Sequence, residues 1–466
     1  MRANGTDLPI HMTSHIRYLA VWVYIIGIYI GIPLKVGHVS IPAFWAGASG
    51  LLLLALNASQ IQKQHGWLLL GLAGLALLGV VINYGDGAEL ARIKGAVQLL
   101  YSIVIAYGLF LELKGWGRER VAKLFWVIAL LLVAGCALEL FTVFKEWSDS
   151  FRNHVFEPGS LYNNDFRDKL VFGKIRPKLF TVEPSYVAIF LLLSMTAYFT
   201  LAKKTLTRSL QYFLIALAGM YLIGSPIVLL VVCVPVLNFL FLRKSWRGLA
   251  GAAFAGEAKR LLVVLLYSSA LLMAMMFIWR DVGLNQKADA EGGRLGISQK
   301  TDVEGSRLTQ IMHGKEDSFT GRLVAPPLIA YHVLTASPGF GVGLEAKEKL
   351  NEVVFHVFQH LEMQTNIVDT CKLGNYVTNN FWLHWIYWGL LGGLLMIVLV
   401  YKFMRLIGVR YPLYCFVVIA MFMQTMGGYV TPRFWFVSLL IMLLGTLHSA
   451  TRDDSETMEY ANDAQK

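Results

Sequence analysis

Arg176 and Glu183 lie seven residues apart, where a basic segment containing Pro177 runs into a long apolar stretch. A guanidinium and a carboxylate this close to hydrocarbon need partners or a ligand, because either charge is costly in an apolar medium. The planar guanidinium suits phosphate oxygens, and a carboxylate can orient or deprotonate a hydroxyl. We therefore expect this corner to handle a charged, lipid-linked substrate.

Two structural roles for Glu183 remain open at this point. The carboxylate could simply pair with Arg176, or it could be favoured by the dipole at the N-terminus of the helix that follows. Tyr186 has a similar ambiguity, since it could contact a ligand or serve as an interfacial aromatic anchor.

The composition predicts the kind of protein that positions these residues. The chain has 466 residues, of which 56% are hydrophobic and 15% are charged, and a soluble domain is less apolar and more charged. Many runs reach the ~17–25 residues that cross a bilayer as a helix. We predict an all-α polytopic membrane protein with about twelve transmembrane helices. The predicted spans are Ile16–Leu34, Val39–Asn57, Gly66–Ile82, Gly95–Leu113, Phe125–Phe144, Glu183–Leu201, two within Leu210–Leu242, Leu261–Trp279, Asn379–Tyr401, Pro412–Met426 and Phe434–His448.

The apolar run Leu210–Leu242 is too long for one ordinary span. Gly224-Ser225-Pro226 interrupts it, because proline removes a backbone donor and glycine loosens the helix. We interpret the run as two short, tilted spans that meet at this break, with one broken span as the alternative.

Lysine and arginine in the short loops predict the orientation, and the net charge is +11. They fall on alternate loops, which we assign to the cytoplasm together with both termini. The order is then a membrane domain over residues 1–279 with an external loop at 145–181, a large periplasmic loop at 280–377, and three further spans with a cytoplasmic tail at 378–466. The basic residues are scattered over loops, so nucleic-acid binding is not expected.

Both external loops carry arginine and lysine against this trend, which favours an anionic ligand outside the membrane. The same residues could instead be neutralised by nearby acidic residues in solvated loops. The loops contain no carboxylate cluster or cysteine spacing typical of a metal site, so we expect no metal and no cofactor. Backbone amides around Gly341 and Gly343 could cradle a phosphate, although a simple turn explains these glycines better.

Three segments resemble the O-antigen polymerase family, which is related to the O-antigen ligases. Residues 176–185 (RPKLFTVEPS) resemble its Arg…Phe-x-Glu-Pro-Ser pattern. Gly321-Arg322 followed by residues 337–343 (SPGFGVG) resembles an element late in its large periplasmic loop. Thr378-Asn379-Asn380 followed by Gly389-Leu390-Leu391-Gly392 resembles its loop-to-helix junction.

The resemblance implies a GT-C-like membrane glycosyltransferase whose large periplasmic loop carries short helices. It would transfer a glycan from undecaprenyl pyrophosphate to the non-reducing end of another lipid-linked repeat unit, on the periplasmic side of a bacterial inner membrane. The lipid-linked donor and acceptor and the membrane lipid are the implied partners, and a chain-length regulator protein is a further candidate.

Site roles follow from the same resemblance. Arg176 and Arg322 would hold the pyrophosphate with help from Lys178, and Glu183 would contact the acceptor, with His332 as an alternative base. The remaining candidates would contact sugar or phosphate: Tyr186, Gly341, Gly343, Asn379 and Asn380. We expect the Arg322 element and the Thr378-Asn379-Asn380 junction to converge on Glu183.

Departures from the family pattern keep other functions open. Thr378 stands where the ligases carry histidine, which favours a polymerase over a ligase that transfers the glycan to lipid A core. Ser337 replaces a common histidine, and the break at Gly224-Ser225-Pro226 lacks the arginine of many relatives. A secondary transporter is the non-enzyme alternative, but few ionisable residues lie at mid-span and no internal repeat is apparent.

Overall fold

A computed structural model describes residues 10–36, 39–157, 161–162, 165, 168–169, 174–203, 205–242, 324–361, 373–374 and 377–463. The predicted span Leu261–Trp279, Arg322 and most of the predicted periplasmic loop lie outside this part. The described helices are α1 Ile10–Ile30, α2 Phe44–Leu56, α3 Lys63–Ile82, α4 Glu89–Trp116, α5 Arg118–Phe141, α6 Phe144–Val155, α7 Pro184–Leu201, α8 Leu206–Ile223, α9 Cys233–Leu242, α10 Ala325–Ala336, α11 Asn351–His360, α12 Asn380–Leu406, α13 Pro412–Met423 and α14 Pro432–Asp463.

The described chain is an all-α membrane protein, as the composition predicts. Six helices, α3, α4, α5, α7, α8 and α12, are long and apolar enough to cross a bilayer, and several shorter apolar helices accompany them. Strand β1 (Leu34–Val36) pairs antiparallel with β2 (Val39–Ile41) in a small hairpin between α1 and α2.

Helix α7 is the most enclosed of the long apolar helices. Of its most apolar window, 83% is buried, because α5, α8 and α14 pack around it. The helix begins at Pro184, whose fixed φ suits the first helical position, and Glu183 precedes it in an extended conformation. Glu183 therefore lies directly ahead of the most enclosed of these helices.

The long apolar run folds back at Gly224, as its sequence predicts. Helix α8 ends there in a left-handed conformation, and a 3₁₀ segment, Pro226–Val232, leads into α9. Tyr212 Oη donates to the carbonyl of Val231 at 2.7 Å, a contact that a straight helix could not make. The two segments therefore form a hairpin.

The loops that the sequence identifies as basic lie together at one end of the bundle. Arg118 on α5 donates to the carbonyl of Leu201 at the end of α7, and Lys114 donates to Ile407 after α12 at 3.3 Å. Arg17 pairs with the buried carboxylate of Glu112 at 2.6 Å, which fixes α1 against α4. We call this the basic end; the opposite end carries Glu183 and is called the site end.

At the site end, Arg92 on α4 joins three separate segments. It is only 1% exposed, and its guanidinium binds the carboxylate of Asp86 at 2.7 and 2.5 Å. Its remaining donors bind the carbonyls of Asn83 and Val342 at 3.0 and 2.8 Å. Because a buried guanidinium without acceptors is costly, this clamp fixes the loop at 83–88 against the segment that follows α10.

We predict a pH-dependent contribution of this clamp to stability. The hydrogen bond from Arg92 holds the pKa of Asp86 well below its usual range. A carboxylate with a depressed pKa stabilises the fold above its unfolded pKa of about 3.9 and loses that contribution as the pH falls toward the folded value. The melting-temperature gap between wild type and Asp86→Asn in detergent should be constant from about pH 7 to 5 and narrow below about pH 4. A gap that widens in acid would contradict the clamp.

Candidate functional site

A polar cavity of about 370 Å³ lies at the site end, beside the first turns of α7 and α14 and the segment that precedes α12. The link between α1 and α2 closes another side of it. Its volume falls in the ~300–1,000 Å³ range of small-molecule sites. The polar side chains that line it are those of Glu183, Ser185, Tyr186, Lys347, Thr378, Thr425, Thr431 and Arg433.

Glu183 reaches the cavity with an almost free carboxylate. It occupies the N-cap position of α7, but its side chain does not cap the helix. Among the described residues, only the hydroxyl of Ser185 donates to it, at 2.8 Å. Arg176 pairs with a different carboxylate, so Glu183 is not the ion-pair partner that the sequence left open. Most of its acceptor capacity is therefore available to a ligand.

Arg433 is the cation that sequence reasoning missed. Its guanidinium lies 3.6 Å from the centre of the Tyr186 ring and donates to the carbonyls of Ile28 and Tyr29 at 3.2–3.4 Å. No carboxylate of the described residues pairs with it, so its positive charge is not matched locally. An arginine at the external end of the last predicted span was the available signal, because such a position breaks the charge rule.

Lys347 provides a second cation on the cavity wall. Its ammonium lies 3.2 Å from the carboxylate of Glu345, which partly neutralises it. Glu345 has a φ of 56°, an unusual value for a residue other than glycine, and the turn it forms leads into the 3₁₀ segment Lys347–Leu350. The segment that follows the predicted glycine-rich turn thus contributes to the site through Lys347.

Arg176 and Lys178 lie in a neighbouring ion-pair network and do not line the cavity. Arg176 binds the fully buried Asp168 at 2.8 Å and the hydroxyl of Tyr162 at 2.7 Å. Lys178 binds Asp165 at 2.6 Å. Burial alone would raise the pKa of Asp165, but the hydrogen bond and charge of Lys178 outweigh it and lower the pKa. In this conformation, both candidate cations are matched by protein carboxylates.

Two buried charges that sequence reasoning did not single out shape the turn ahead of Glu183. Arg152 is 2% exposed and donates to the carbonyls of Thr181, Tyr162 and Val182. Glu139 accepts from the amide of Leu179 at 2.6 Å, and Leu179 itself has a φ of 41°. The network that contains Arg176 therefore positions the carboxylate of Glu183 from outside the cavity.

The junction before α12 contributes Thr378 directly and the two asparagines indirectly. Thr378 lines the cavity with Glu183. Asn379 caps α12 by accepting from the amides of Phe381 and Trp382 at 3.0 and 3.4 Å, and its amide donates to Gln424. Asn380 is fully buried, and its side-chain amide has no hydrogen-bond partner among the described residues.

Gly341 and Gly343 belong to a segment that fits into a break in α12. The helix is interrupted at Gly389, and the amides of Val342 and Gly343 donate to the carbonyls of Ile386 and Tyr387, each at 3.0 Å. In return, Leu390 and Leu391 donate to carbonyls of the inserted segment at 2.9 and 3.0 Å. These amides already have protein acceptors, so the segment supports the site by holding α12.

The remaining candidates do not meet this cavity in the described part of the chain. The side chain of His332 is exposed on α10 and does not line the cavity. Arg322 lies outside the described residues, so its expected approach to Glu183 remains a prediction.

Helix ends make the cavity favourable for an anion. The N-termini of α7 and α14 begin on its wall, and α12 begins two residues after Thr378. Each helix N-terminus carries a partial positive charge, and Arg433 and Lys347 add full charges. A carboxylate beside this positive field can contact a neutral hydroxyl while the cations hold a phosphate.

Fold and cavity together define the class: an all-α membrane protein with a polar cavity, lined by one carboxylate and two cations, at one end of its helix bundle. Comparisons with protein-family models, curated proteins and solved structures find no match to this chain. Its function is therefore argued from the cavity itself.

We predict that the interlock at Gly341 is intolerant of any side chain. A Cβ there would lie 2.3 Å from the carbonyl oxygen of Ile386, at a φ of +58° that disfavours side chains. Gly341→Ala should destabilise the protein by roughly 3 kcal/mol, measured as a lower unfolding midpoint in detergent. Gly339→Ala is the control, because no atom of the described residues lies within 4 Å of its added Cβ. Equal midpoints for the two variants would contradict the interlock.

Proposed function

We propose that this chain is a polysaccharide polymerase that joins lipid-linked repeat units. One observation carries the proposal: an acceptor-rich carboxylate, Glu183, shares a cavity with Lys347 and with the guanidinium of Arg433, which pairs with no carboxylate of the described residues. Glycan transfer from a lipid pyrophosphate needs both kinds of group, because a hydroxyl must lose a proton while a polyanionic leaving group is stabilised.

The reaction proceeds by displacement at the reducing-end carbon of the donor glycan. A hydroxyl oxygen of the acceptor repeat unit forms the new bond to this carbon, and the carboxylate of Glu183 takes the hydroxyl proton. The bond from the carbon to the phosphate oxygen breaks, and its electron pair leaves with the lipid pyrophosphate. Arg433 and Lys347 stabilise the charge that grows on this leaving group.

The contact between Arg433 and the Tyr186 ring supports this division of roles. A guanidinium held over a ring and by two carbonyls keeps a fixed direction, so little rotational freedom is lost when it meets a phosphate. Tyr186 is then a positioning residue for the cation. Arg176 acts further out, by ordering the turn that carries Glu183.

The proposal includes a topology of about twelve spans with both termini in the cytoplasm and the site end on the periplasmic side of a bacterial inner membrane. The grouping of Lys114, Arg118 and neighbouring cations at the basic end supports this orientation, because such residues favour the cytoplasmic face. Reactive lipid pyrophosphates on the opposite face would reach the cavity directly.

The proposal predicts a large loss of polymerisation when Arg433 or Glu183 is replaced. Arg433→Ala and Glu183→Gln should each lower polymerisation by about 10²-fold or more, since each removes a group that acts on the transition state. The assay uses purified protein and lipid-linked repeat units, read as a ladder of products with and without a chelator. Arg433→Lys should retain part of the activity because it keeps the charge.

Arg405→Ala serves as the matched control, because Arg405 is exposed at the basic end and should leave the ladder unchanged. Unfolding midpoints separate loss of function from loss of fold. A normal ladder with folded Arg433→Ala and Glu183→Gln variants would overturn the site assignment. Transfer to lipid A core in place of another repeat unit would overturn the polymerase assignment and favour a ligase.

A further inference from the structure

A second cavity, of about 180 Å³, lies among α3, α4, α12 and α14 in the half of the bundle toward the basic end. Its walls are almost entirely apolar and include Leu69, Leu72, Val104, Leu399 and Val400. They share no residue with the polar cavity at the site end. We call this second cavity the apolar cleft.

Helix α3 forms the loosely packed wall of the apolar cleft. Only 22% of its most apolar window is buried, compared with 83% for α7. Trp67 and Leu70 on this helix are 72% and 62% exposed. In a membrane-spanning bundle, such surfaces face hydrocarbon, so a lipid chain is the molecule that reaches the cleft.

His65 places one polar atom in this apolar wall. Its Nδ1 lies 2.7 Å from the hydroxyl of Tyr107, and its Nε2 is shielded from solvent without a hydrogen-bond partner among the described residues. Because Nε2 is not accessible from the cleft, His65 is part of its wall and is not a contact for a ligand headgroup.

Positive charge lies near the same opening. Lys114 follows the cleft-lining Tyr107 by seven residues on α4, and its ammonium donates to the carbonyl of Ile407, four residues after the cleft-lining Phe403. Lys402 is exposed and directly precedes Phe403. A cation near a membrane surface attracts anionic lipid. The opening therefore suits an anionic headgroup attached to an apolar chain.

We propose that the apolar cleft binds one acyl chain of an anionic membrane phospholipid. The chain lies between α3 and α12, and the headgroup phosphate lies toward Lys114. The site is separate from the polar cavity and does not depend on the function proposed for it.

Binding can be measured on the full-length protein, delipidated in detergent and titrated with phosphatidylglycerol. Native mass spectrometry counts bound lipids, and the shift in melting temperature reports affinity. We expect one tightly held phosphatidylglycerol, at least tenfold weaker binding of phosphatidylcholine, and no competition by undecaprenyl phosphate. Equal binding of both phospholipids, or displacement by undecaprenyl phosphate, would overturn the proposal.

Variants test the position of the chain. Val104→Trp fills the cleft and should weaken phosphatidylglycerol binding at least tenfold. Val97→Trp on the same helix should not, because Val97 is 63% exposed and does not line the cleft. Melting temperatures without lipid identify variants that fail to fold. Unchanged affinity in a folded Val104→Trp variant would sink the proposal.

Discussion

A guanidinium taken out of water must find acceptors for its donors, and this requirement organises the site end of the protein. Arg92 meets it with a carboxylate and two carbonyls, and so joins α4 to the segment that interlocks with α12. Arg152 meets it with Asp149 and with carbonyls of the turn ahead of α7. These matched charges are structural, because they leave no attraction for an anion. Arg433 is held by two carbonyls and by the Tyr186 ring, and no carboxylate among the described residues cancels its charge in an ion pair.

The interlock between the segment around Gly341 and the break at Gly389 has a second consequence. Backbone groups of a broken helix at membrane depth must be paired, and the inserted segment pairs them. The start of α12 is thereby held in place, and with it Thr378 on the cavity wall. The loop at residues 424–431 lines the same cavity. Because this cavity is polar, the backbone groups of the irregular loop can lie beside polar atoms there.

The two cavities differ in the polarity of their linings, and each lining matches its surroundings. The polar cavity gathers helix N-termini and cations at the site end, where a charged headgroup or pyrophosphate can enter from water. The apolar cleft lies among exposed hydrocarbon side chains toward the basic end, and its lining is almost entirely apolar. The two proposals thus assign chemistry and phospholipid binding to different depths of the bundle.

The sequence alone determined the all-α membrane class, the break at Gly224 and the position of Glu183 at a helix mouth, because hydropathy and proline act locally. Only the tertiary structure decided which cation accompanies Glu183. Arg176 is nearer in sequence, but Asp168 neutralises it; Arg433, from the last helix, reaches the cavity instead. Charge matching depends on which side chains meet in space, and spacing along the chain does not contain that information.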